Sequence, residues 1–174
     1  MPMKRIIVLI LYFYSLSVMA QICTTDNTPQ VISALNFDLS TAGEAHDNLS
    51  GLIWQRCVYG QQWDGATCKG APVKLTWQEA LQTAAQPDQQ GQIWRVPTIK
   101  ELSLIMDLQC MTPPLNPQLF PNAPASRDNG LWSSTPLILT NNPDKTQAWW
   151  VDLMFGNITY DDTTTKTNFV LFVR

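Results

Sequence analysis

The sequence predicts an α+β domain in which two helices pack on an antiparallel β-sheet. Two central segments carry apolar residues at helical spacing, and each of them follows a Thr-x-x-Glu motif. The C-terminal part contains short strand-like segments separated by turn residues. The chain also has four cysteines, an even number that suits two disulfides. Helices followed by antiparallel strands, with long irregular loops between them, are typical of this fold class.

The two helices are predicted in "LTWQEALQTAAQ" and "RVPTIKELSLIMDL". In the first, Thr76 and Glu79 have the spacing of a capping box, which satisfies free amide donors at a helix start. Thr98 and Glu101 repeat this spacing in the second. The apolar faces behind the two caps are expected to be buried, and they consist of Trp77, Ala80, Leu81, Ala84, Ile99, Leu102, Ile105 and Met106.

Strands are predicted at 52–57 and in "GLWSSTPLIL", "QAWWVDLMF", "NITYDD" and "NFVLFVR". The segment 111–126, "MTPPLNPQLFPNAPAS", contains five prolines, which exclude regular structure. We expect this segment to be a long, fairly rigid surface loop. Trp54, Trp94 and Trp132 lie beside turn or strand residues and are expected to pack in the core, and Arg95 is expected to pair with a carboxylate.

The N-terminus has the pattern of a secretory signal peptide. Lys4 and Arg5 precede an apolar run at 6–18, and Ala20 supplies the small residue before a cleavage site. The run is too short for an ordinary membrane span, which needs about 20 apolar residues. We therefore expect residues 1–20 to be removed and the protein to be exported, to the periplasm or to the cell surface and medium.

The rest of the chain predicts an N-terminal arm at 21–36 and one domain at 37–174. No later stretch is long and apolar enough to predict a membrane span in the mature chain. The net charge is −3 before the signal peptide and its two cations are removed. Nucleic acid is an unfavourable partner for such an acidic domain, because Lys and Arg supply most non-specific affinity for phosphates.

The four cysteines are interpreted as structural disulfides. An exported chain meets an oxidising compartment, and the sequence lacks both the Cys-x-x-Cys spacing and the Cys/His clusters of redox and zinc sites. Three pairings are open from the sequence. We expect Cys57–Cys68 as a local staple and Cys23–Cys110 as a long-range tie, worth roughly 3 and about 4.5 kcal/mol by chain-entropy reasoning.

The segment "AWWVDLMF" supplies the candidate ligand-binding residues. On a strand, Trp149, Val151, Leu153 and Phe155 would share one wholly apolar face, which is expected to be core. The other face pairs the Trp150 ring with the Asp152 carboxylate, a pair that can stack on the C–H face of a sugar and bind its hydroxyls. In the alternative interpretation a loop covers Trp150 and Asp152 binds backbone. The candidate ligand-binding residues are Trp150, Asp152 and Asn157.

The hairpin segment "GNITYDD" offers oxygen ligands for calcium, with Asp161 and Asp162 as the candidate metal-binding residues. The alternative is that these adjacent aspartates are merely solvated. The letters "QPD" at 86–88 match a galactose-type lectin signature, but they lie between the two helices instead of in a long loop before the final strands. We interpret this match as coincidence.

Several motifs in order resemble the bacterial Lcl C-terminal domain family, which is named after a collagen-like adhesin. They are "TAGEAHDNLSGLIWQRC", "GQQWDGATC", "LTWQEAL", "WRVPTIKEL", "NPQLFPN", "LWSSTP", "AWWVDLMFG" and "FVR", across residues 37–174. The resemblance implies a C-type-lectin-like fold, shared with formylglycine-generating enzymes. It also implies an exported envelope or surface domain, with adhesion or glycan binding proposed for some members, and it carries no catalytic assignment.

Three functions from different classes follow. The first is an exported, non-catalytic binding domain for a cell-surface or extracellular ligand, with glycan as the favoured class and no cofactor unless calcium binds. The second is a structural subunit that binds a protein of the envelope or surface. The third, an enzyme, is disfavoured because His46 is the one histidine, no Gly-x-Ser-x-Gly elbow is present, and no cysteine follows Cys110.

Overall fold

The computed structural model of the chain describes residues 22–23, 33–88, 91–138 and 146–174. Within them, two α-helices occupy the middle of the chain, α1 (Trp77–Ala84) and α2 (Ile99–Ile105), and a 3-10 helix spans Ala34–Asn36. The strands, in chain order, are β1 (Ile22–Cys23), β2 (Phe37–Asp38), β3 (Glu44–Asp47), β4 (Ile53–Gln55), β5 (Gln62–Trp63), β6 (Cys68–Lys69), β7 (Cys110–Met111), β8 (Gly130–Leu137), β9 (Gln147–Asp152) and β10 (Ile158–Asp162).

These strands form antiparallel sheets. One three-stranded sheet has the order β8-β9-β10, and a second has the order β2-β3-β4. Two-stranded ribbons join β1 to β7 and β5 to β6. The predicted α+β class, with two helices, antiparallel sheets and two disulfides, is confirmed. In the residues described, neither helix is long and apolar enough to cross a membrane.

Both predicted capping boxes are present. The Thr76 hydroxyl accepts a hydrogen bond from the Glu79 amide, and the Glu79 carboxylate accepts one of 2.8 Å from the Thr76 amide. Thr98 and Glu101 form the same reciprocal pair at the start of α2. Since these bonds satisfy amide donors that a helix start leaves free, local sequence sets both starts. Each helix buries its predicted face, with Ala80, Ala84, Leu102 and Ile105 buried and Trp77, Leu81 and Ile99 partly buried.

Glu101 also ties α2 to the preceding segment, and this ion pair predicts a pH effect. Arg95 donates two hydrogen bonds of 2.7 Å to its carboxylate, and these, with bonds from Thr98, lower the pKa of Glu101 to about 2. A carboxyl group with a lowered folded-state pKa stabilises the fold above its unfolded pKa and loses that contribution as the pH falls. Because solvent screens the half-exposed Arg95, we expect a loss of about 1 kcal/mol as the pH falls from 4.5 towards 2.

Urea unfolding of the wild type and of Glu101→Gln, across about pH 2 to 6, measures this contribution. The variant keeps an acceptor for the Thr98 amide but cannot ionise, so its deficit in unfolding free energy should shrink as the pH falls. Glu79→Gln is the matched control, because Glu79 closes a capping box without an arginine partner among the described residues. A Glu101→Gln deficit that stays constant with pH would contradict the assignment.

Strand β9 lies between two hydrophobic clusters, because its successive residues point to opposite faces. On one face Val151 packs in a cluster with Leu102 of α2 and Leu131 of β8. On the other face Trp150 packs in a cluster with Trp132 and residues of α1. Helices therefore cover both faces of β8 and β9. Of the tryptophans predicted to be core, Trp54, Trp94 and Trp132 are buried, whereas Trp149 of β9 is only half-buried.

The proline-rich segment 111–126 is not simply a surface loop, and this prediction is wrong in part. Leu119 and Phe120 are buried, and the Phe120 ring packs edge-on against Trp54 with 6.4 Å between ring centroids. The Arg56 guanidinium donates to the Leu119 carbonyl oxygen at 3.0 Å. Prolines exclude a regular ladder, but the segment can still be buried when side chains satisfy its carbonyl groups.

The last predicted strand, 168–174, is present only as isolated bridges. Val173 bridges to both Trp54 and Arg95, Asn168 bridges to Leu75, and other backbone groups of the segment bond elsewhere. Because its backbone groups are divided among β4, β8 and the segments at Tyr59, Leu75 and Arg95, no continuous ladder forms. The apolar residues of the segment are nevertheless buried, so it acts as a central element of the core.

Both disulfides have the predicted pairing. Cys57–Cys68 closes a short loop with a sequence separation of 11, and both of its cysteines are buried. Cys23–Cys110 joins β1 to β7 with a sequence separation of 87. No free cysteine remains in the chain. The cysteine-rich segment 51–70 is thus a stapled structural loop.

Candidate functional site

Strand β9 places the predicted ligand-binding tryptophan inside the protein. Trp150 is only 7% exposed, its ring belongs to the cluster around Trp132, and the Lys166 ammonium group lies 5.2 Å from the ring centroid. The prediction that Trp150 faces a ligand is therefore wrong. Alternation in the sequence separates the two faces of a strand, but it does not reveal that α1 covers the second face.

Asp152 stabilises the turn after β9. Its Oδ1 accepts hydrogen bonds from the Met154 and Phe155 amides at 2.8 and 2.7 Å, and its Oδ2 accepts one from the Asn157 amide at 2.8 Å. Asp152 is only 8% exposed, and backbone donors bond to both of its carboxylate oxygens, as in the alternative interpretation. Asn157 is exposed as part of this turn, and Phe155, which was expected in the core, is 53% exposed.

The candidate calcium ligands are engaged within their own hairpin. Asp162 Oδ1 accepts bonds from the hydroxyls and amides of Thr164 and Thr165, and these bonds lower its pKa to about 2. Asp161 accepts a bond from the Asp162 amide and lies 3.8 Å from the Lys166 ammonium group. Among the described residues, no three His, Cys, Asp or Glu side chains are grouped so that they could hold a metal ion.

A cleft of about 240 Å³ opens beside the C-terminal end of α1. Its walls include three aromatic rings, and two of them, Tyr59 and Phe172, meet edge to face with 5.8 Å between centroids. Trp94 supplies the third ring. Gln55 of β4 and Gln86, just after α1, lie at the same cleft.

Backbone hydrogen bonds hold this cleft in shape. The Gln55 amide donates to the Phe172 carbonyl at 3.0 Å, and the Tyr59 amide donates to the Val170 carbonyl at 2.9 Å. These bonds align β4 and the loop after it with the C-terminal segment. Tyr59 also lies two residues after Cys57, within the loop that the Cys57–Cys68 disulfide closes. The cleft is therefore formed before any ligand arrives.

Three polar groups at the cleft are available to a ligand. The side-chain amides of Gln55 and Gln86 and the Tyr59 hydroxyl have no hydrogen-bond partner in the part of the chain that the structure describes. Each of these groups can both donate and accept a hydrogen bond. Free donors and acceptors around aromatic walls suit a small ligand that presents hydroxyls together with C–H surface.

The "QPD" triplet contributes to this cleft, although its aspartate has a structural role. Asp88 accepts one bond of 2.8 Å from the Trp94 indole and another from the Gln92 amide. The Arg174 guanidinium lies 5.0 Å from the Trp94 ring centroid and donates to the Gln92 side chain. Asp88 and Arg174 thereby fix the Trp94 ring, while Gln86 of the same triplet reaches the cleft.

His46 belongs to a hydrogen-bonded chain with Glu44 and Arg174. Its Nε2 lies 2.8 Å from a Glu44 oxygen, and Glu44 accepts two bonds of 2.9 and 3.0 Å from Arg174. Within the described residues, no serine, threonine or cysteine side chain hydrogen-bonds to His46. The arrangement links β3 to the end of the C-terminal segment.

A second cleft, of about 390 Å³, shares Trp94 with the first and has largely apolar walls that include Leu81 and Ile93. Its charged side chain, Arg95, is engaged by Glu101. Polar groups that orient a ligand are therefore scarcer here than in the cleft at Tyr59, and specificity would be harder to achieve.

The cleft at Tyr59 was not found from the sequence, because its polar residues come from separate segments that meet only in the fold. Gln55, Tyr59 and Gln86 form no motif together. The weak signals in the sequence were the position of Tyr59 between Cys57 and Cys68 and the "QPD" letters at 86–88. The predicted salt bridge of Arg95, in contrast, is confirmed with Glu101 as its partner.

Fold and cleft together define a small, disulfide-bonded α+β domain with an aromatic, amide-lined cleft. The family model for the Lcl C-terminal domain matches residues 43–174, and the chain belongs to this family. The resemblance seen in the sequence motifs is thus confirmed. Among curated proteins, no significant match to the chain was found.

Proposed function

We propose that this protein is an exported, non-catalytic binding domain whose ligand is a carbohydrate held in the cleft at Tyr59. The observation that carries the proposal is the set of three polar groups around aromatic walls, on Gln55, Tyr59 and Gln86, whose side chains bond to no other described residue. A sugar combines C–H faces with hydroxyls that both donate and accept. Amide and phenol groups match such hydroxyls without requiring a charge on the ligand.

Export is supported by two independent features. The N-terminal sequence has the pattern of a secretory signal peptide, and the domain contains two disulfides, which persist in oxidising compartments. We propose the periplasm or the cell surface of a bacterium as its location. Its two helices and antiparallel sheets suit the C-type-lectin-like fold that the family resemblance implies, and we propose that fold for the domain.

A glycan array probed with the purified protein tests the proposal. Gln55→Ala and Tyr59→Phe each remove one ligand-facing polar group, and each is expected to weaken binding about three- to tenfold, the loss of one hydrogen bond. Gln78→Ala is the matched control, because Gln78 is an exposed amide on α1 that does not line the cleft. The array is run with and without calcium, and the comparison also tests whether Asp161 and Asp162 bind calcium.

Hits that both cleft variants weaken, with binding unchanged in the control, support the proposal. Hits that persist in both variants would place the sugar elsewhere. No hit at all would contradict carbohydrate binding and favour the alternative function, a subunit that binds a protein of the envelope or surface. Sugar binding that needs calcium would support Asp161 and Asp162 as metal ligands, although the cleft residues themselves need no metal.

A further inference from the structure

Strand β10 has an outer edge beside which no other described strand lies. It pairs with β9 alone in the described sheet. The Asp152 amide donates to the Asn157 carbonyl and the Thr163 amide donates to the Thr146 carbonyl, so both of these pairs are hydrogen-bonded pairs. Antiparallel ladders alternate between bonded and non-bonded pairs. The register therefore directs the N–H and C=O groups of Ile158 and Tyr160 away from β9, and no other described residue bonds to them.

The side chains along this edge form an uncovered apolar surface. Ile158 is 50% exposed and Tyr160 is 48% exposed. Both lie on the face of the sheet that α2 covers at β8 and β9. Tyr160 packs edge-on against the half-buried Trp149 of β9, with 5.4 Å between ring centroids. Leu104 of α2 is also 51% exposed. α2 packs over β8 and β9, and it leaves this outer strip open.

β10 lacks three of the protections that edge strands commonly have, and its two charged residues, Asp161 and Asp162, lie at its C-terminal end. Edge strands are commonly blunted by a proline, a lysine or a β-bulge. The other edge strand, β8, has Pro136 and a register shift between Trp132 and Pro136, and the segment at Phe169 bonds along it. β10 has an unbroken register and neither proline nor lysine in Ile158–Asp162.

Charge at the end of β10 indicates the chemistry of a partner. Asp162 lies on the same face as Ile158 and Tyr160, because side chains alternate along a strand. Its carboxylate is bonded to threonine donors, and no salt bridge to it exists in the described part of the chain. Its own amide bonds to Asp161, and its carbonyl accepts from the Lys166 amide. The open edge therefore stops here and ends in a negative charge.

We propose that β10 is a docking edge for an extended segment of another protein, which adds an antiparallel strand beside Ile158–Asp162. The incoming strand has small apolar side chains opposite Ile158 and Tyr160 and a Lys or Arg opposite Asp162. Main-chain bonds to Ile158 and Tyr160 supply affinity, and the alternating side chains supply specificity. A second copy of the chain fits poorly, since antiparallel pairing about Tyr160 sets Asp162 of each copy against Ile158 of the other.

The probe is the blocked peptide Ac-Lys-Thr-Val-Thr-Val-Thr-NH2, titrated to millimolar concentration into the isotope-labelled mature protein. We expect chemical shift changes at residues 157–162 and slower hydrogen exchange of the Ile158 and Tyr160 amides. A peptide with Glu in place of Lys should bind at least fivefold more weakly. A peptide N-methylated at the valine opposite Tyr160 should lose binding, and this control leaves the protein unchanged.

Tyr160→Pro removes the outward amide without removing a bond to β9, whereas Tyr160→Val keeps that amide. The proline variant should lose peptide binding, while the valine variant should retain it within about threefold. The proposal is overturned if no peptide shifts the β10 signals or if the N-methylated peptide binds as well as its parent. It is also overturned if these amides are already protected in a dimer of the free protein, because the occupant is then a second copy.

Discussion

Replacing Gly130 by alanine is expected to lower the free energy of unfolding by about 3 kcal/mol or more. Gly130 faces Asp152 across β8 and β9, and a Cβ there would lie 2.5 Å from Cε3 of Trp150 and closer still to the Val151 carbonyl oxygen. The carbonyl belongs to the backbone of the central strand, so no side-chain rotation relieves the contact. The strands must separate, and the buried Trp150 must move with them.

The same displacement would disturb the other side of Gly130. The Gly130 amide donates a hydrogen bond to the Asn168 side chain at 3.0 Å, and the Gly130 carbonyl accepts one from the Phe169 amide at 2.9 Å. Both of those residues begin the buried C-terminal segment. A shift of β8 therefore strains the core on two sides, which is why the expected cost exceeds that of an ordinary glycine substitution.

Gly51→Ala is the matched control for Gly130→Ala. Gly51 has a φ of +75°, but a Cβ added there would meet nothing within 4 Å. Its cost should be limited to the left-handed backbone, about 1 kcal/mol. Urea unfolding followed by tryptophan fluorescence gives both values. Equal losses in the two variants would show that close strand contact at Gly130 is not what requires glycine.

Features that short sequence segments determine were predicted correctly. The capping boxes at Thr76 and Thr98 depend on residues three positions apart, so the sequence contains all of their geometry. The same is true of the apolar helix faces. The local disulfide Cys57–Cys68 was also inferred from spacing and cellular compartment. None of these features needs information about distant parts of the chain.

Features that depend on what packs above a strand were not predictable. For β9, alternation assigned Val151 and Trp150 to opposite faces correctly, but only the fold shows that both faces are covered. The segment 168–174 reads as a strand, yet its backbone groups bond to several separate elements. In both cases the missing information is tertiary, since the same pattern suits either environment.

The candidate cleft shows the same limit for function. A binding site can be recognised in a sequence when its residues lie in one motif. Trp150 and Asp152, two residues apart, formed such a motif. The side-chain amides of Gln55 and Gln86, which have no partner among the described residues, belong to β4 and to the turn after α1, and the fold brings them to one cleft. Their value to a ligand arises because they lack partners, and partners are known only once the chain is folded.

Removing the Cys57–Cys68 disulfide by Cys57→Ala and Cys68→Ala is expected to cost about 3 kcal/mol of unfolding free energy. The bond closes a loop with a separation of 11 residues, and it limits the unfolded chain more than it adds contacts to the folded one. The folded loop retains other ties, because Arg56 lies 4.1 Å from the Trp63 ring centroid and Asn122 donates to the Cys68 carbonyl at 3.0 Å.

The long-range pair Cys23–Cys110 provides the comparison that tests this explanation. Chain entropy predicts a cost of about 4.5 kcal/mol for its removal, because its loop, with a separation of 87 residues, is longer. Peptide mapping without reductant first establishes both pairings in the wild type, and urea unfolding then gives the two costs. A larger loss from the short loop would contradict the entropic account. It would mean that Cys57–Cys68 stabilises the folded loop itself, and the Tyr59 cleft should then lose ligand affinity in the same variant.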